Sequence, residues 1–152
     1  MSTSVPSTPT ALPVNGQVIG LAHYASRAAL ERVLARSGTS FNRSVALRAV
    51  SDNGGTAERA WLVGRLTGAL KIEESVARAT VEEMTADELL AEPRAGQVSL
   101  TDAGRELFAS IRTAGNAIAA RLYAGIPAED LAAAGRVLTL VTERADAELA
   151  EA

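Results

Sequence analysis

Two pairs of adjacent carboxylates, Glu73-Glu74 and Glu82-Glu83, are the residues in this sequence whose types and spacing most suggest acid–base chemistry. General acid–base catalysis needs carboxyl groups placed to exchange protons with one substrate. Both pairs fall in a segment with helical spacing, where neighbouring side chains point about 100° apart. Neither pair can therefore converge on a substrate. The four-residue spacing from Glu74 to Arg78 is instead typical of a surface ion pair on a helix.

Metal and cofactor chemistry have few candidate residues. The 152 residues include no cysteine and one histidine, His23, which excludes a disulfide framework, a thiolate zinc site and a multi-histidine site. The sequence contains neither a Gly-x-x-x-x-Gly-Lys phosphate-binding loop nor a Gly-x-Ser-x-Gly nucleophile turn. We therefore expect a protein that is not an enzyme and that requires no cofactor and no metal.

Charge is distributed unevenly, although the net charge is only −3. Residues 21–65 contain seven arginines against three acidic residues, whereas residues 71–92 contain seven acidic residues against two basic ones. Arginine suits phosphate binding because its planar guanidinium forms paired hydrogen bonds. A genome-wide preference for arginine over lysine is a simpler explanation for the number of arginines. The acidic segment opposes DNA binding, since non-specific affinity for DNA comes mostly from cations.

Helical spacing dominates the chain and predicts a mainly α fold with a small β-hairpin. Aromatic residues make up 3% of a sequence that is 47% hydrophobic, which favours close-packed helices. Thr56 is a plausible N-cap for the third helix. The alternation of polar and apolar residues over 97–100 predicts a strand that pairs with residues 89–92. The predicted helices cover about 17–36, 42–51, 57–70, 74–85, 102–123 and the residues from Pro127 onward.

The last two helices have the features of a dimerisation arm. The helix over 102–123 would be about 33 Å long, which exceeds what a compact domain of this size needs. The final helix has apolar residues at alternating spacings of three and four, which form a heptad seam. We expect this seam to pack against a second copy; its residues are Leu131, Ala134, Leu138, Val141 and Ala145.

The order of the elements and several short motifs resemble the MarR family of bacterial transcription regulators over residues 17–150. The most specific motif is Leu100-Thr101-Asp102-Ala103-Gly104, which is similar to the Leu-Thr-x-x-Gly that follows the wing in that family. Residues 126–131 resemble the start of its last dimerisation helix. The resemblance also matches the buried positions of a helix-turn-helix to Leu66, Leu70, Ile72, Ala77, Val81 and Met84. It implies a winged helix-turn-helix domain at 41–101 and a helical dimerisation region at 17–40 and 102–150.

Four departures from the family pattern lie in the same domain. Lys71 replaces the usual glycine of the turn, Glu73 replaces a common serine cap, and Glu88 replaces a frequent glycine before the wing. The wing loop is reduced to residues 93–96 and lacks the family's Asp-x-Arg element. We therefore expect the wing to reach the minor groove less than in the family.

The resemblance implies double-stranded DNA as the partner, bound by a homodimer at a pseudo-palindromic site. Arg78 is the expected base reader through guanine, and Glu74 could accept a hydrogen bond from the amino group of cytosine. Glu73, Glu74 and Glu82 are expected to repel phosphate. The predicted DNA-binding residues are Arg43, Arg59, Arg65, Glu74, Ser75, Arg78, Ala79 and Arg94.

Two further interpretations stay open. The family often binds small aromatic or anionic effectors, and here such a pocket would involve His23, Arg27, Phe41, Arg48 and Trp61. Ordinary packing or surface positions explain the same residues. The acidic recognition helix and the short wing also suit a winged-helix dimer that has lost DNA binding and acts as a protein-interaction module.

The composition of the N-terminal residues indicates that they neither pack against the domain nor form an export signal. Residues 1–16 are rich in Ser, Thr and Pro and carry no charged side chain, so we expect a flexible tail. A signal peptide would need a positively charged start and an apolar stretch. Charged residues interrupt every apolar run before about 18 residues, so no membrane span is expected. These features predict a cytoplasmic protein.

Overall fold

The computed structural model describes residues 12–151, so most of the predicted flexible tail (residues 1–11) lies outside the described residues. The first helix begins at Gly16, where the Asn15 side chain accepts a hydrogen bond from the Val18 amide (2.9 Å). The elements in chain order are α1 Gly16–Arg36, α2 Phe41–Asp52, β1 Thr56–Glu58, α3 Arg59–Leu70, α4 Glu74–Ala86, β2 Leu90–Ala91, β3 Gln97–Leu100, α5 Asp102–Leu122 and α6 Ala128–Ala150.

The sheet has three strands, so the predicted two-stranded hairpin was incomplete. The strand order is β1-β3-β2, with all pairs antiparallel, and Ala57 of β1 is paired with Val98 of β3. Thr56 begins β1, and the N-cap of α3 is Glu58, so the predicted cap at Thr56 was wrong. Strand β1 could not be predicted from the sequence, because three residues are too few to show an alternation of polar and apolar residues. Its pairing with β3 stabilises a hairpin that would be only marginally stable alone.

One core joins α2, α3, α4 and the sheet within the first compact unit of the chain, which ends at Gly115. The predicted buried face of α4 is confirmed, because Ala77, Val81 and Met84 are all fully buried. Three helices pack around this core and the sheet covers one edge, which is the winged helix-turn-helix arrangement. The largest fully buried side chains are Leu34, Leu47, Leu62, Leu66, Met84, Leu90, Val50, Val81 and Val98.

The junction between the wing and α5 explains the Leu-Thr-x-x-Gly motif physically. The Thr101 hydroxyl donates to the Glu88 carbonyl (2.6 Å) and accepts from the Gly104 amide (3.0 Å), so it caps α5 and ties it to the segment before the wing. A Cβ atom at Gly104 would overlap the Leu89 carbonyl oxygen. Glycine is therefore required at this position by a close approach of two backbones.

The second compact unit, Asn116 to the C-terminus, contains the end of α5 and all of α6. Helix α6 has no buried residue. Its predicted seam is exposed, with Leu131 at 37%, Leu138 at 41% and Val141 at 41% of their full accessible area. Val137, Leu140 and Leu149 add to the exposed apolar surface. Within residues 12–151, no helix is both long enough and apolar enough to cross a membrane.

Candidate nucleic-acid interface

The turn before α4 sets the direction of this helix. Lys71 takes the left-handed conformation (φ 56°) that ends α3, in the place where a glycine would be easiest. Glu73 occupies the N-cap of α4 and makes no side-chain capping hydrogen bond. The first turn of α4 is therefore held by the apolar contacts of its buried face and by Ile72, which packs against the core.

The exposed face of α4 contains the side chains that could reach a nucleic acid. Glu74, Ser75, Arg78, Ala79 and Glu82 are all exposed, as their spacing predicted. Val76, in the first turn, is 44% exposed and was not among the residues predicted to bind DNA. The exposure of Val76 could have been predicted, since this residue falls outside the helical spacing of the buried positions 77, 81 and 84.

Arg78 and Glu74 form an ion pair along this face. The Glu74 Oε1 atom accepts from Arg78 Nη2 at 2.6 Å and from Arg78 Nε at 3.0 Å, which confirms the predicted surface pair. Both side chains are more than 60% exposed. Exposed helical pairs of this kind contribute about 0.3–0.5 kcal/mol, so Arg78 can exchange this partner for a stronger one at little cost.

Arg43 does not point freely outward from α2. Its guanidinium lies 2.8 Å from Asp87 (Nη1–Oδ2) and 3.4 Å from Glu83 (Nη2–Oε2), and the side chain is 18% exposed. It therefore connects α2 to the C-terminal half of α4. A contact between Arg43 and DNA would have to compete with these two internal ion pairs.

Arg59 has a similar position at the opposite edge of α4. Its guanidinium lies 3.6 Å from Glu82 on α4 and 4.0 Å from Glu92 beside the wing loop. Its backbone amide donates to the Gly96 carbonyl at 2.8 Å. Arg59 thus connects the start of α3 to the wing and to α4. Three carboxylates were expected to repel phosphate, and two of them, Glu74 and Glu82, are paired with arginines.

Two of the arginines predicted to bind DNA form no such internal ion pairs with the described residues. Arg65 on α3 and Arg94 in the wing loop are exposed, and neither forms an ion pair with any residue between 12 and 151. A guanidinium without an internal partner gains the most from a phosphate. Arg65 and Arg94 are therefore the strongest candidates for backbone contacts.

A groove of about 690 Å³ lies between α3, the start of α4 and the wing. Glu74 and Arg78 line it together with Val63, Thr67 and Ile72. The other lining residues are Glu58, Arg59, Ala60, Gly64, Glu73 and Gly96. The groove therefore combines an apolar floor with charges of both signs.

The residues predicted to line an effector pocket do not line this groove. Arg27 lies over the Phe41 ring, 4.1 Å from its centroid, and also pairs with Glu31 at 2.8 Å. The His23 ring packs edge-on against Tyr24, with 5.9 Å between centroids. Arg48 and Trp61 are exposed, Trp61 by 43%. Of the five, the described structure places Arg27 and Phe41 in direct contact.

Comparisons with known proteins identify this architecture. No family model and no curated relative matches the sequence. A MarR-family transcriptional regulator from Rhodococcus sp. RHA1 superimposes with a TM-score of 0.69 at 16% identity, over 84% of this chain and 91% of that one. The chain has the MarR-type winged-helix fold.

Two other solved structures have the same MarR-type fold. Bordetella bronchiseptica BpsR, described with the regulation of its DNA binding by 6-hydroxynicotinic acid, matches at a TM-score of 0.68 and 21% identity, over 84% of this chain and 97% of that one. A Mycobacterium tuberculosis MarR family protein in complex with DNA matches at 0.66 and 19% identity, over 86% and 98%. These neighbours are regulators rather than enzymes.

The departures from the MarR sequence pattern have visible structural consequences. Lys71 (φ 56°) and Glu88 (φ 60°) both take the left-handed conformation that glycine adopts more easily. The MarR-type wing is short here: β2 contains two residues, and the Gln97 amide bonds back to the Arg94 carbonyl at 3.1 Å. The backbone of the MarR-type fold is thus kept with residues that fit it less easily.

Proposed function

We propose that this protein is a homodimeric, MarR-like transcriptional regulator that binds a pseudo-palindromic DNA site. The observation that carries the proposal is the exposed face of α4, which presents Arg78, Ser75 and Ala79 on a MarR-type winged helix. A recognition helix reads bases through side chains near its N-terminus, and these residues occupy the first two turns. The DNA-bound Mycobacterium structure with the same fold supports the proposal.

The proposed contacts divide into base reading and backbone binding. Arg78 would leave Glu74 and donate two hydrogen bonds to guanine O6 and N7, while Glu74 would accept from a neighbouring cytosine amino group. Ser75 and Ala79 are small enough to let the helix approach the base edges. Arg65 and Arg94 would bind phosphates, with Arg43 and Arg59 holding α4 in place from its two sides.

Dimerisation is proposed through the helical region at 17–40 and 102–150, separate from the DNA-binding domain at 41–101. None of the described residues of α6 is buried, and its apolar side chains remain partly exposed. A row of exposed apolar side chains on one helix is typical of an interaction site. A second copy is the partner that a heptad seam suits best.

Regulation by a small aromatic or anionic effector is part of the proposal. Arg27 over Phe41 connects α1 to α2 through a cation–π contact, and an anionic aromatic ligand would interact with the same two groups. The regulation described for BpsR supports a site of this kind. His23, Arg48 and Trp61 remain candidate contributors. We also propose a cytoplasmic location, where a regulator would meet DNA.

A protein-interaction module is the second candidate function. The observation that favours it is the charge around α4, where Arg43, Arg59 and Arg78 all bind carboxylates of the protein itself. Such a surface has less free positive charge than a DNA-binding surface usually presents.

Selection from a randomised duplex library, followed by titration of the recovered and a scrambled duplex, separates the two functions. The DNA-binding proposal expects tighter binding to the recovered duplex at every salt concentration. Equal and negligible binding to both duplexes near physiological salt would instead favour the interaction module.

A further inference from the structure

The exposed face of α4 has two edges with different chemistry. On the edge toward α3, Glu74 and Arg78 line the groove, and Glu82 pairs with Arg59. On the edge toward α2, Glu83 and Asp87 pair with Arg43. Val76 precedes these two carboxylates by seven and eleven residues, which is the helical spacing of one continuous edge. Val76 therefore belongs to the edge toward α2.

The start of this second edge is apolar and unoccupied. Val76 is 44% exposed and takes no part in the hydrophobic core, and Ala79, one turn later, is also exposed. A β-branched residue is a weak helix former, so an exposed valine does not stabilise the first turn of α4 by propensity. The two side chains form a small apolar strip in the part of the helix that would enter a major groove.

The charge beyond this strip is partly neutralised from within the protein, since one guanidinium faces two carboxylates. Glu83 and Asp87 would otherwise present two carboxylates further along the same edge, where they would repel DNA phosphates. Arg43 lies 3.4 Å and 2.8 Å from them. The edge that begins with Val76 can therefore approach a duplex with less repulsion than the sequence alone indicates.

We propose that Val76 and Ala79 determine specificity by contacting the 5-methyl groups of thymine in the major groove, beside the base pair read by Arg78. This inference rests on the proposed DNA binding of α4. The thymine methyl is the apolar group that the major groove displays, and small apolar side chains are its usual contacts. Side chains three residues apart lie about 5–6 Å from each other, which spans neighbouring base pairs.

Deoxyuridine substitution tests this inference, because it removes the methyl group and keeps every hydrogen-bonding group of thymine. A duplex recovered from the randomised library is resynthesised with one thymine at a time replaced by deoxyuridine. We expect about fourfold weaker binding at one or two positions per half-site, which corresponds to ~0.8 kcal/mol for one methyl group. Thymines elsewhere should tolerate the change.

Variants of the protein assign each penalty to a side chain. Val76→Ala keeps only the Cβ atom of the valine and should lower the deoxyuridine penalty at one position, and Ala79→Gly should abolish it at the other. Ser75→Ala, on the same exposed face, is the matched control and should keep both penalties. Each variant is compared with itself on the thymine and deoxyuridine duplexes, so a general loss of folded protein cancels from the ratio.

The outcomes separate the inference from the proposed function. A duplex that is bound with clear sequence preference but is insensitive to deoxyuridine at all positions overturns the inference alone. The same holds if the penalty keeps its full size in both Val76→Ala and Ala79→Gly. A library that yields no preferred duplex overturns the proposed function, and the inference with it.

Discussion

The Arg43 guanidinium, on α2, lies 2.8 Å from the Asp87 carboxylate at the end of α4 (Nη1–Oδ2), and a second pair joins the same guanidinium to Glu83. These contacts join residues that are 44 and 40 positions apart in the sequence, and they connect α4 to α2. They also balance part of the negative charge of α4, which lowers the repulsion that the proposed binding of this helix to DNA would meet.

Replacing Arg43 should therefore lower the stability of the fold, whereas replacing Arg65 should lower the affinity for DNA by removing a phosphate contact. Arg43→Gln leaves Glu83 and Asp87 without their partner and should lower the free energy of unfolding by about 1 kcal/mol, given the exposure of both carboxylates. Arg65→Gln should leave stability unchanged. Denaturant unfolding of both variants checks this difference.

The salt dependence of DNA binding gives the second comparison of these two variants. Loss of one phosphate contact reduces the slope of log K against log salt by about 0.9, or roughly 2 for a dimer. Arg65→Gln should show this reduction, and Arg43→Gln should weaken binding with the slope unchanged. An equal loss of slope in both variants would mean that Arg43 also binds phosphate.

Removing the carboxylates at the edge of α4 toward α3 should strengthen DNA binding. Glu74→Gln with Glu82→Gln removes two negative charges per subunit and frees Arg78 and Arg59 from their pairs. If each charge contributes ~0.3–0.5 kcal/mol, affinity should rise about tenfold at low salt and less at high salt, where screening is stronger. Titration of a labelled duplex at two salt concentrations measures this.

A matched pair of changes on α6, Glu129→Gln with Glu143→Gln, controls for the effect of net charge. Both residues are exposed, and their loss should alter affinity much less than the change on α4. If the α4 variant shows no gain on either a specific or a scrambled duplex, these carboxylates do not face DNA.

The close approach of Gly104 to the Leu89 carbonyl predicts a large effect of a small substitution. Gly104→Ala should destabilise the domain by about 1–3 kcal/mol, because the added methyl group overlaps backbone rather than a movable side chain. Gly68→Ala, on α3, meets nothing within 4 Å and should stabilise by about 0.5–1 kcal/mol through helix propensity. Unfolding midpoints of equal value in the two variants would contradict the role of Gly104.

The sequence predicted the helices and the buried face of α4 well, because apolar residues recur at helical spacing over several turns. It missed β1, since three residues show no alternation, and it placed a cap at Thr56 instead of Glu58. The ion pairs of Arg43 and Arg59 were also missed. Their partners are distant in sequence, and only the packing of α2 and α3 against α4 brings them together.

Dimerisation can be tested through the exposed seam of α6. Sedimentation at micromolar concentration should give about twice the chain mass of 15.7 kDa. Leu138→Asp places a charge in the middle of the seam and should shift the protein toward monomer, while Thr139→Asp, the next residue on the helix, should not. A parent protein that sediments as a monomer would rule out the two-half-site model of DNA binding.

The most direct test of the central claim is the ratio of affinities for a library-selected duplex and a scrambled duplex, measured for the parent and for Arg78→Ala across a salt series. We expect the parent to prefer the selected duplex at every salt concentration. Arg78→Ala should lose about 1–3 kcal/mol of that preference per half-site, with relaxed selectivity at one base pair. Equal affinity of the parent for both duplexes, or a loss in Arg78→Ala that is the same on both, would contradict sequence reading by α4.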